Sequence, residues 1–197
     1  MKIIGLCGGS GSGKGCVCSI LSELGFAIFD TDEIYHALLE NGGKLTDELN
    51  EAFGPGILSN GKVDRKKLSG VVFTDESGEN LKTLNKITHA HILAEVRRGI
   101  AAAEAAGARC AVVDAPVLFE SGFDKECDLT LAVVSDKEKR ISRIIQRDGI
   151  DKDTANRRID SQISDERLIS LCDYVVFNNG DFDDLKYEVE KIALKIL

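Results

Sequence analysis

The sequence predicts an α/β fold in three layers, with helices on both faces of a doubly wound, mostly parallel sheet of five strands. Five short apolar runs lie along the 197 residues, and segments with helical periodicity separate them. In each run the apolar residues are successive rather than alternating, which is typical of strands that are covered on both faces. Strands that alternate with helices favour parallel pairing. The five runs are Lys2–Cys7, Phe26–Phe29, Ala111–Val113, Leu129–Val134 and Tyr174–Phe177.

A glycine-rich loop, Gly8–Gly15, follows the first predicted strand. It fits the first seven places of the pattern G-x-x-x-x-G-K-[ST], in which backbone N–H groups and the lysine bind phosphate groups. A flexible turn is the plainer alternative, but an apolar helical face over Cys16–Leu24 follows the loop, and Gly25 is placed to end that helix. This order of elements indicates a site for ATP or GTP. Its expected contacts are Gly9, Ser10, Gly11, Ser12, Gly13, Lys14, Gly15 and Cys16.

Three other function classes are disfavoured. The glycine spacing does not match the dinucleotide-binding pattern G-x-G-x-x-G. A GTPase would need an Asn-Lys-x-Asp segment after a strand, whereas Asn85-Lys86-Ile87-Thr88 lacks the Asp and lies in a predicted helix. His89 and His91 are two positions apart on that helix and point away from each other, and no third ligand is evident, so zinc is not expected.

The interval between the second and third strands is roughly 80 residues, far longer than a crossover helix requires. It contains turn residues at Gly42-Gly43, Gly54-Pro55-Gly56 and Asn60-Gly61, followed by a long helix over Asn80–Ala106. An inserted helical lobe over about residues 33–106 is therefore predicted. A polar helical stretch, Arg147–Leu171, predicts a second, shorter lobe. The predicted core is about 1–32, 107–140 and 170–197, which leaves about 141–169 for the second lobe, and the final helix is Asp184–Leu197.

Composition limits the partners and the compartment. The net charge of −8 excludes a global basic field for nucleic acid or an anionic membrane surface. Neither a signal pattern nor an apolar run long enough to span a membrane is present, so we expect a soluble cytoplasmic protein. The six cysteines lack C-x-x-C spacing, which predicts buried, reduced thiols. An oxidation-sensitive site among Cys7, Cys16 and Cys18 is the alternative.

Carboxylates follow two of the predicted strands. In an open parallel sheet the ligand lies at the carboxyl ends of the strands, so Asp32 and Asp114 are candidates to bind Mg²⁺ or to accept a proton from an attacking hydroxyl. The alternative is that such residues cap the next helix. For Asp30 the two interpretations are equally open.

Arg140, Arg143 and Arg147 have the spacing i, i+3 and i+7, which places them on one helix face after the fourth strand. Arginines held over the phosphates would stabilise the charge that spreads over the transferred phosphoryl group. We expect this of Arg143 and Arg147. For Arg140 a solvated face that pairs with Asp136 and Glu138 is the alternative. Further candidates are Arg157 and Arg158.

Together, and in this order along nearly the whole chain, these motifs resemble the dephospho-CoA kinase family. The matching segments are Gly8–Lys14, Phe29–Asp32, Gly61–Arg65 with Val72-Phe73, Asn85–His89, Asp114–Ser121, Arg143 with Arg147-Asp148, Arg158-Ile159 with Gln162, and Asp173–Val176 with Asn178. The resemblance implies a P-loop fold with a nucleotide-binding core, an inserted substrate lobe and a lid. It also implies transfer of the γ-phosphoryl group of ATP to the 3′-hydroxyl of dephospho-CoA, with Mg²⁺, which gives ADP and coenzyme A in the last step of coenzyme A biosynthesis.

The resemblance also implies roles for individual residues. Asp32 is expected to take the hydroxyl proton, while Lys14 and Arg143 neutralise phosphate charge. Arg147 and Asn178 are expected to contact the nucleotide, Asn178 at adenine. The expected contacts with the acceptor are Asp32, His89, Asp114 and Leu118. Asp32 and Asp114 are expected to bind Mg²⁺ through water.

The sequence departs from the family pattern at two positions. Gly15 replaces the usual Ser or Thr, so we expect water to take the place of that hydroxyl on Mg²⁺. Ala90 replaces the Pro that usually follows the His, which changes only local geometry. Two alternatives are another nucleoside or nucleotide kinase and a nucleotide-binding regulatory protein without turnover. The segments Val63–Arg65 and Asp114–Ser121 argue against the first, and Asp32 with the lid arginines argues against the second.

Overall fold

The five predicted strands form one sheet. The computed structural model describes residues 1–197. Its strands are β1 (Lys2–Cys7), β2 (Ala27–Asp30), β3 (Leu58–Ser59), β4 (Lys62–Val63), β5 (Cys110–Asp114), β6 (Leu129–Val134) and β7 (Tyr174–Phe177). Its α-helices are α1 (Lys14–Glu23), α2 (Thr31–Asn41), α3 (Lys44–Phe53), α4 (Arg65–Val72), α5 (Glu79–Ala105), α6 (Leu118–Ser121), α7 (Lys137–Asp148), α8 (Lys152–Asp160), α9 (Asp165–Leu171) and α10 (Phe182–Ile196). Two 3₁₀-helices cover Pro55–Ile57 and Phe123–Glu126.

The strand order in the sheet is β2-β5-β1-β6-β7. β1 pairs in parallel with both β5 and β6, and β6 pairs in parallel with β7. Each predicted strand is confirmed to within one residue at either end. The strand order reverses beside β1. β2 and β5 lie on one side of β1, and the later strands β6 and β7 lie on the other side. In open parallel sheets the ligand lies at the carboxyl ends of the strands at such a reversal, which here is the end of β1.

The chain divides into two compact units. The core unit consists of Met1–Phe29 and Ile100–Leu197, and the inserted unit is Asp30–Gly99. The segment predicted as a lid, about 141–169, belongs to the core unit in this division. Its movement as a separate lid stays a prediction.

Two helices cover the sheet of the core unit with apolar faces. α10 corresponds to the final helix that the sequence predicts, and it begins with a capping box of Asp181 and Asp184. The face of α1 is narrower than predicted, because Cys16 and Leu24 are exposed. The buried residues of α1 are Val17, Ile20 and Leu21, and those of α10 are Leu185, Val189, Ile192, Ala193 and Ile196.

A smaller apolar cluster joins α7 to α8. It consists of Ile141 and Ile144 from α7 with Ala155 and Ile159 from α8. α7 ends at Gly149, which has a φ of 65° and allows the chain to turn into α8. This packing fixes the orientation of both helices, and it therefore also fixes the direction in which their arginine side chains project.

The inserted unit has a hydrophobic core of its own. The turn predicted at Asn60-Gly61 joins β3 to β4 in an antiparallel hairpin, and both turn residues have positive φ values, 52° and 75°. Asp64 then caps α4 by accepting hydrogen bonds from the N–H groups of Lys66 and Lys67 at 3.0 and 3.2 Å. The core residues are Leu39, Leu45, Leu49, Ile57, Val63, Leu68 and Val72.

None of the helices combines the length and the apolar character that a membrane crossing requires.

Candidate nucleotide and acceptor site

The phosphate loop, Gly8–Gly15, leads from the end of β1 into the first turn of α1. Gly13 has a φ of 102°, and a Cβ atom there would lie 2.1 Å from the Asn178 side-chain nitrogen, so only glycine fits. The Lys14 ammonium donates a hydrogen bond to the carbonyl oxygen of Gly8 at 3.1 Å. Gly13 and Lys14 thus lie at the N-terminus of α1, and a helix N-terminus is the kind of position at which phosphate groups bind.

Arg143 on α7 holds the carbonyl side of this loop. Its Nη1 donates to the backbone oxygens of Gly11 and Ser12 at 3.1 and 3.4 Å, and to Ser135 Oγ at 3.1 Å. Its Nη2 donates to the backbone oxygen of Asn178 at 3.1 Å. The structure thus brings Arg143 to the loop, where its donors bind loop carbonyl groups. Direct contact with phosphate stays a prediction.

Asn178, directly after β7, supports the same loop. The residue is 6% exposed, and its side-chain Nδ2 donates to the backbone oxygen of Ser12 at 2.7 Å. Its backbone N–H bonds to the carbonyl oxygen of Val134 at 2.8 Å, which fixes the chain at the end of β6. Asn178 therefore positions the loop, and the predicted contact with adenine stays a prediction.

Arg140 is not on a solvated face, so the alternative of pairing with Asp136 and Glu138 is wrong. The residue is 3% exposed, and its Nη1 forms an ion pair with Asp165 Oδ1 at 2.8 Å. The physical reason lies in the helix periodicity, because Arg140 shares a face with Ile144 four residues later, and that face is buried. The Asp165 carboxylate, the Gln162 amide oxygen and the backbone oxygen of Ser10 compensate the buried guanidinium.

Two residues that the sequence analysis gave no role also contact this region. Gln162, in the connection between α8 and α9, accepts a hydrogen bond from the N–H of Ser10 at 2.9 Å and donates to Ser10 Oγ at 3.1 Å. Ser135, after β6, donates to the backbone oxygen of Asn178 at 2.7 Å. The signal for Gln162 was its place in the motif series. No sequence pattern marks Ser135 beyond its place after a strand.

Arg147 lies at the outer end of α7, and the structure does not bring it to the loop. Its side chain is 61% exposed and forms a two-point ion pair with Asp148, with Nε at 2.7 Å and Nη2 at 3.0 Å. Arg158 pairs with the same carboxylate. These two guanidinium groups, Arg147 first, lower the pKa of Asp148 to about 2. Arg157 donates to Thr154 at 2.8 Å.

Asp114 and Lys14 meet at the carboxyl end of the sheet. Asp114 is the last residue of β5 and is buried, and its Oδ1 lies 3.9 Å from Lys14 Nζ. The structure has no group of three or more His, Cys, Asp or Glu side chains that could hold a metal ion. A Mg²⁺ ion bound with Asp114 would therefore complete its coordination with phosphate oxygens and water, which is its usual arrangement at nucleotide sites. The buried carboxylate fits that role.

Asp30 is a helix cap. Its Oδ1 accepts hydrogen bonds from the N–H groups of Asp32 and Glu33, at 2.8 and 3.0 Å, at the start of α2. This observation supports the capping interpretation of the two that the sequence left open. The Asp32 side chain, in contrast, is exposed in the first turn of α2 and lines a shallow cavity of about 340 Å³ with Glu33 and His36.

The inserted unit also contains a larger groove, of about 670 Å³. Tyr35, Leu68 and Leu84 contribute apolar surface, and Phe73, which is 70% exposed, lies at the same groove. The remaining lining residues are Arg65, Lys66 and Ser69. An apolar floor beside two cations suits a ligand with an apolar arm and an anionic group.

The remaining predicted contacts differ in accessibility. Leu118 is fully buried, and its methyl groups lie against Gly5, where an added Cβ would be 2.8 Å away. His89 is half-buried on α5. Gly15 has open space around the position of a Cβ. Contacts of Leu118 and His89 with the acceptor stay predictions.

None of the six cysteines forms a disulfide bond, but the expectation that they are buried is wrong for Cys16, which is exposed in the first turn of α1. The Cys7 and Cys172 sulfur atoms lie 3.5 Å apart. The hydrogen bond between them raises the pKa of Cys7, and burial raises it further, while the same hydrogen bond lowers the pKa of Cys172. The contact therefore favours Cys172 as the thiol that ionises first.

The chain is similar to known proteins over its full length. The dephospho-CoA kinase family profile matches residues 2–184. A dephospho-CoA kinase of Corynebacterium glutamicum is 41% identical over 197 residues, which is 100% of both chains. The solved structure of TT1252 from Thermus thermophilus has a TM-score of 0.84 at 26% identity, covering 100% of this chain and 98% of the other. Dephospho-CoA kinase from Campylobacter jejuni has a TM-score of 0.72 at 27% identity, with the same coverage.

Proposed function

Since this chain belongs to the dephospho-CoA kinase family and phosphorylates dephospho-CoA in coenzyme A biosynthesis, we propose that it transfers the γ-phosphoryl group of ATP to the 3′-hydroxyl of that acceptor. In this reaction a bond forms between the 3′-oxygen and the γ-phosphorus. The bond from that phosphorus to the oxygen shared with the β-phosphate breaks, and ADP leaves. The hydroxyl proton passes to a carboxylate of the protein.

The phosphate loop is the observation that carries the use of ATP. Lys14 and the glycine backbone at the end of β1 supply positive charge and N–H donors where the sheet order reverses. Such groups stabilise the charge on the equatorial oxygens of the transferred phosphoryl group. Arg143 and Asn178 keep the loop in this conformation through its carbonyl groups.

Asp114, with Asp32 as a second carboxylate, is proposed to hold Mg²⁺ through water. When bound, the ion neutralises charge on the phosphate oxygens. Gly15 offers no hydroxyl to it, so a water molecule is proposed in that position. Arg147 is proposed to contact the nucleotide after its guanidinium leaves Asp148. Exposed ion pairs of this kind contribute little to stability, so breaking this one costs little free energy.

Asp32 is the proposed proton acceptor. It follows β2 by two residues, its carboxylate is exposed, and Asp30 holds its backbone N–H in the first turn of α2. An exposed carboxylate at a rigid helix start can reach a substrate hydroxyl without rearranging the backbone.

The acceptor is proposed to bind in the inserted unit. The groove beside Arg65 and Lys66 combines apolar surface with positive charge. Dephospho-CoA has a long pantetheine arm and an anionic pyrophosphate, so the two kinds of surface match the two parts of the molecule. His89 is a further proposed contact on α5.

The test is to incubate the protein with ATP, Mg²⁺ and dephospho-CoA and to determine the mass of the product and the position of its new phosphate. A product phosphorylated at the 3′-hydroxyl supports the proposal. ATP binding without any phosphorylated product, or phosphate at another position, contradicts it.

Replacement of Asp32 tests the proton acceptor. We expect Asp32→Asn to bind ATP normally and to lower kcat at least about a hundredfold, the usual scale for loss of a positioned base. Glu33→Gln is the matched control, because Glu33 is the next exposed carboxylate in the same turn of α2. Near-normal turnover of Asp32→Asn, or an equal loss in the Glu33 variant, would remove the proposed role.

A further inference from the structure

Ser10, the third residue of the phosphate loop, has all its polar groups bound by the protein. Its N–H donates to Gln162 Oε1 at 2.9 Å, and its hydroxyl accepts from Gln162 Nε2 at 3.1 Å. Its carbonyl oxygen accepts from Arg140 Nε at 3.0 Å. One glutamine side chain therefore uses both ends of its amide on a single loop residue.

Gln162 lies outside regular structure, in the connection between α8, which ends at Asp160, and α9, which begins at Asp165. Arg140 fixes it there, since its Nη2 donates to Gln162 Oε1 at 3.3 Å and its Nη1 pairs with Asp165 at 2.8 Å. The glutamine is thus held by a buried cation that is itself anchored on the next helix. Such support fixes the orientation of the amide toward the loop.

The loop sequence accommodates this contact. The second place of the phosphate-loop pattern accepts any residue, but here it is Gly9. A Cβ atom at Gly9 would lie 2.0 Å from Arg140 Nη2 and 3.1 Å from Gln162 Oε1. A side chain at this position is therefore incompatible with the contact as it stands, which is a second and independent sign that the loop is shaped around these two residues.

We propose that Gln162 is a positioning residue for the nucleotide: through Ser10 it holds the first half of the phosphate loop in its phosphate-binding conformation. The inference rests on the proposed use of ATP. A loop that is already ordered loses less conformational entropy when the phosphates bind, so the affinity for nucleotide increases. Because Gln162 lies in the connection between α8 and α9, the contact also makes nucleotide affinity depend on the conformation of that connection.

Calorimetric titration of ATP into the protein tests this without requiring turnover. We expect Gln162→Ala to raise the Kd for ATP by about tenfold, the scale of one to two lost hydrogen bonds. Gln146→Ala is the matched control, because Gln146 is an exposed glutamine on α7. In assays with both substrates, KM for ATP should rise while KM for dephospho-CoA and the melting temperature stay near their wild-type values.

A double-mutant cycle identifies the contact. Ser10→Ala removes the hydroxyl that Gln162 binds, so its effect on the Kd for ATP should be smaller in the Gln162→Ala background than in the wild type. Strictly additive effects would overturn the proposal, as would an unchanged Kd in Gln162→Ala. Equal increases in both KM values with a lower melting temperature would assign Gln162 a structural role only. If wild-type protein binds ATP but forms no product, the proposed function fails while the titrations still decide the role of Gln162.

Discussion

Arginines recur at regular spacing along α7, but they make different contacts at its beginning, the inner end, and at its C-terminus, the outer end. Toward its beginning, Arg140 and Arg143 are turned inward and bind carbonyl oxygens of the phosphate loop. At its end, Arg147 is exposed and pairs with its neighbour Asp148. The difference shows that a row of arginines on one helix face does not act as one surface. What each guanidinium contributes depends on its partner and its burial.

The consequence for energetics follows from the partners. Loss of Arg143 removes one donor from each of three backbone carbonyl groups. A buried carbonyl group that is left unsatisfied destabilises the fold by about 1–3 kcal/mol. Loss of an exposed arginine leaves a carboxylate that water solvates. The inner end of α7 should therefore be sensitive to substitution, and the outer end should respond mainly to pH and salt.

The largest effect is expected at the inner end. Arg143→Ala should lower kcat/KM at least about a hundredfold, because the backbone oxygens of Gly11, Ser12 and Asn178 lose their shared donor. Steady-state kinetics and thermal unfolding measure the change. Lys137→Ala is the control on the same helix, since Lys137 forms an exposed pair with Asp160. Equal losses of kcat/KM in both variants would contradict the stated difference between the two arginine environments of α7.

An intermediate effect is expected from two loop glycines that differ in their distance from this inner end. Gly9→Ala places a methyl group against Arg140 and should weaken ATP binding by about tenfold, because the guanidinium must move.

At Gly15 there is open space around the position of a Cβ, so Gly15→Ser should fold normally. It should also lower the Mg²⁺ concentration for half-maximal turnover, since the hydroxyl replaces water. Unaltered Mg²⁺ dependence in Gly15→Ser would show that the missing hydroxyl has no consequence.

The smallest effect is expected at the outer end and concerns pH. The pKa of Asp148 is lowered from 3.8 to about 2 by Arg147 and Arg158. The unfolded chain therefore binds more protons between these pH values, so the stabilisation is complete above about pH 4 and is lost as the pH falls toward 2. The difference in stability between wild type and Asp148→Asn should shrink over that interval. Denaturant unfolding at pH 5, 3 and 2 measures it, and a constant difference would contradict the shift.

The sheet could be predicted from the sequence because parallel strands that are covered on both faces leave uninterrupted apolar runs. The long helix α5 and the turn at Asn60-Gly61 were also evident, from periodicity and from turn residues. The three short helices α2, α3 and α4 were not resolved, because their apolar residues pack in a small separate cluster and their periodicity extends over few turns. Within the inserted unit the sequence therefore predicted helical content but not the order of the elements.

The site was predictable where a motif sets the backbone. The phosphate loop and Lys14 follow from the glycine spacing. The inward direction of Arg140 did not follow, because its partners include a backbone oxygen of Ser10, and backbone acceptors leave no mark in a sequence. The same reason applies to the side-chain amide of Asn178, which donates to the backbone oxygen of Ser12.

The inserted unit is one uninterrupted stretch, Asp30–Gly99, with its own hydrophobic core. All the groups that form and support the phosphate loop lie outside that stretch. The groove proposed for the acceptor and Asp32, the proposed proton acceptor, both lie within it. One continuous segment could therefore be exchanged between related kinases without altering the phosphate loop, and such an exchange would show whether acceptor specificity moves with the segment.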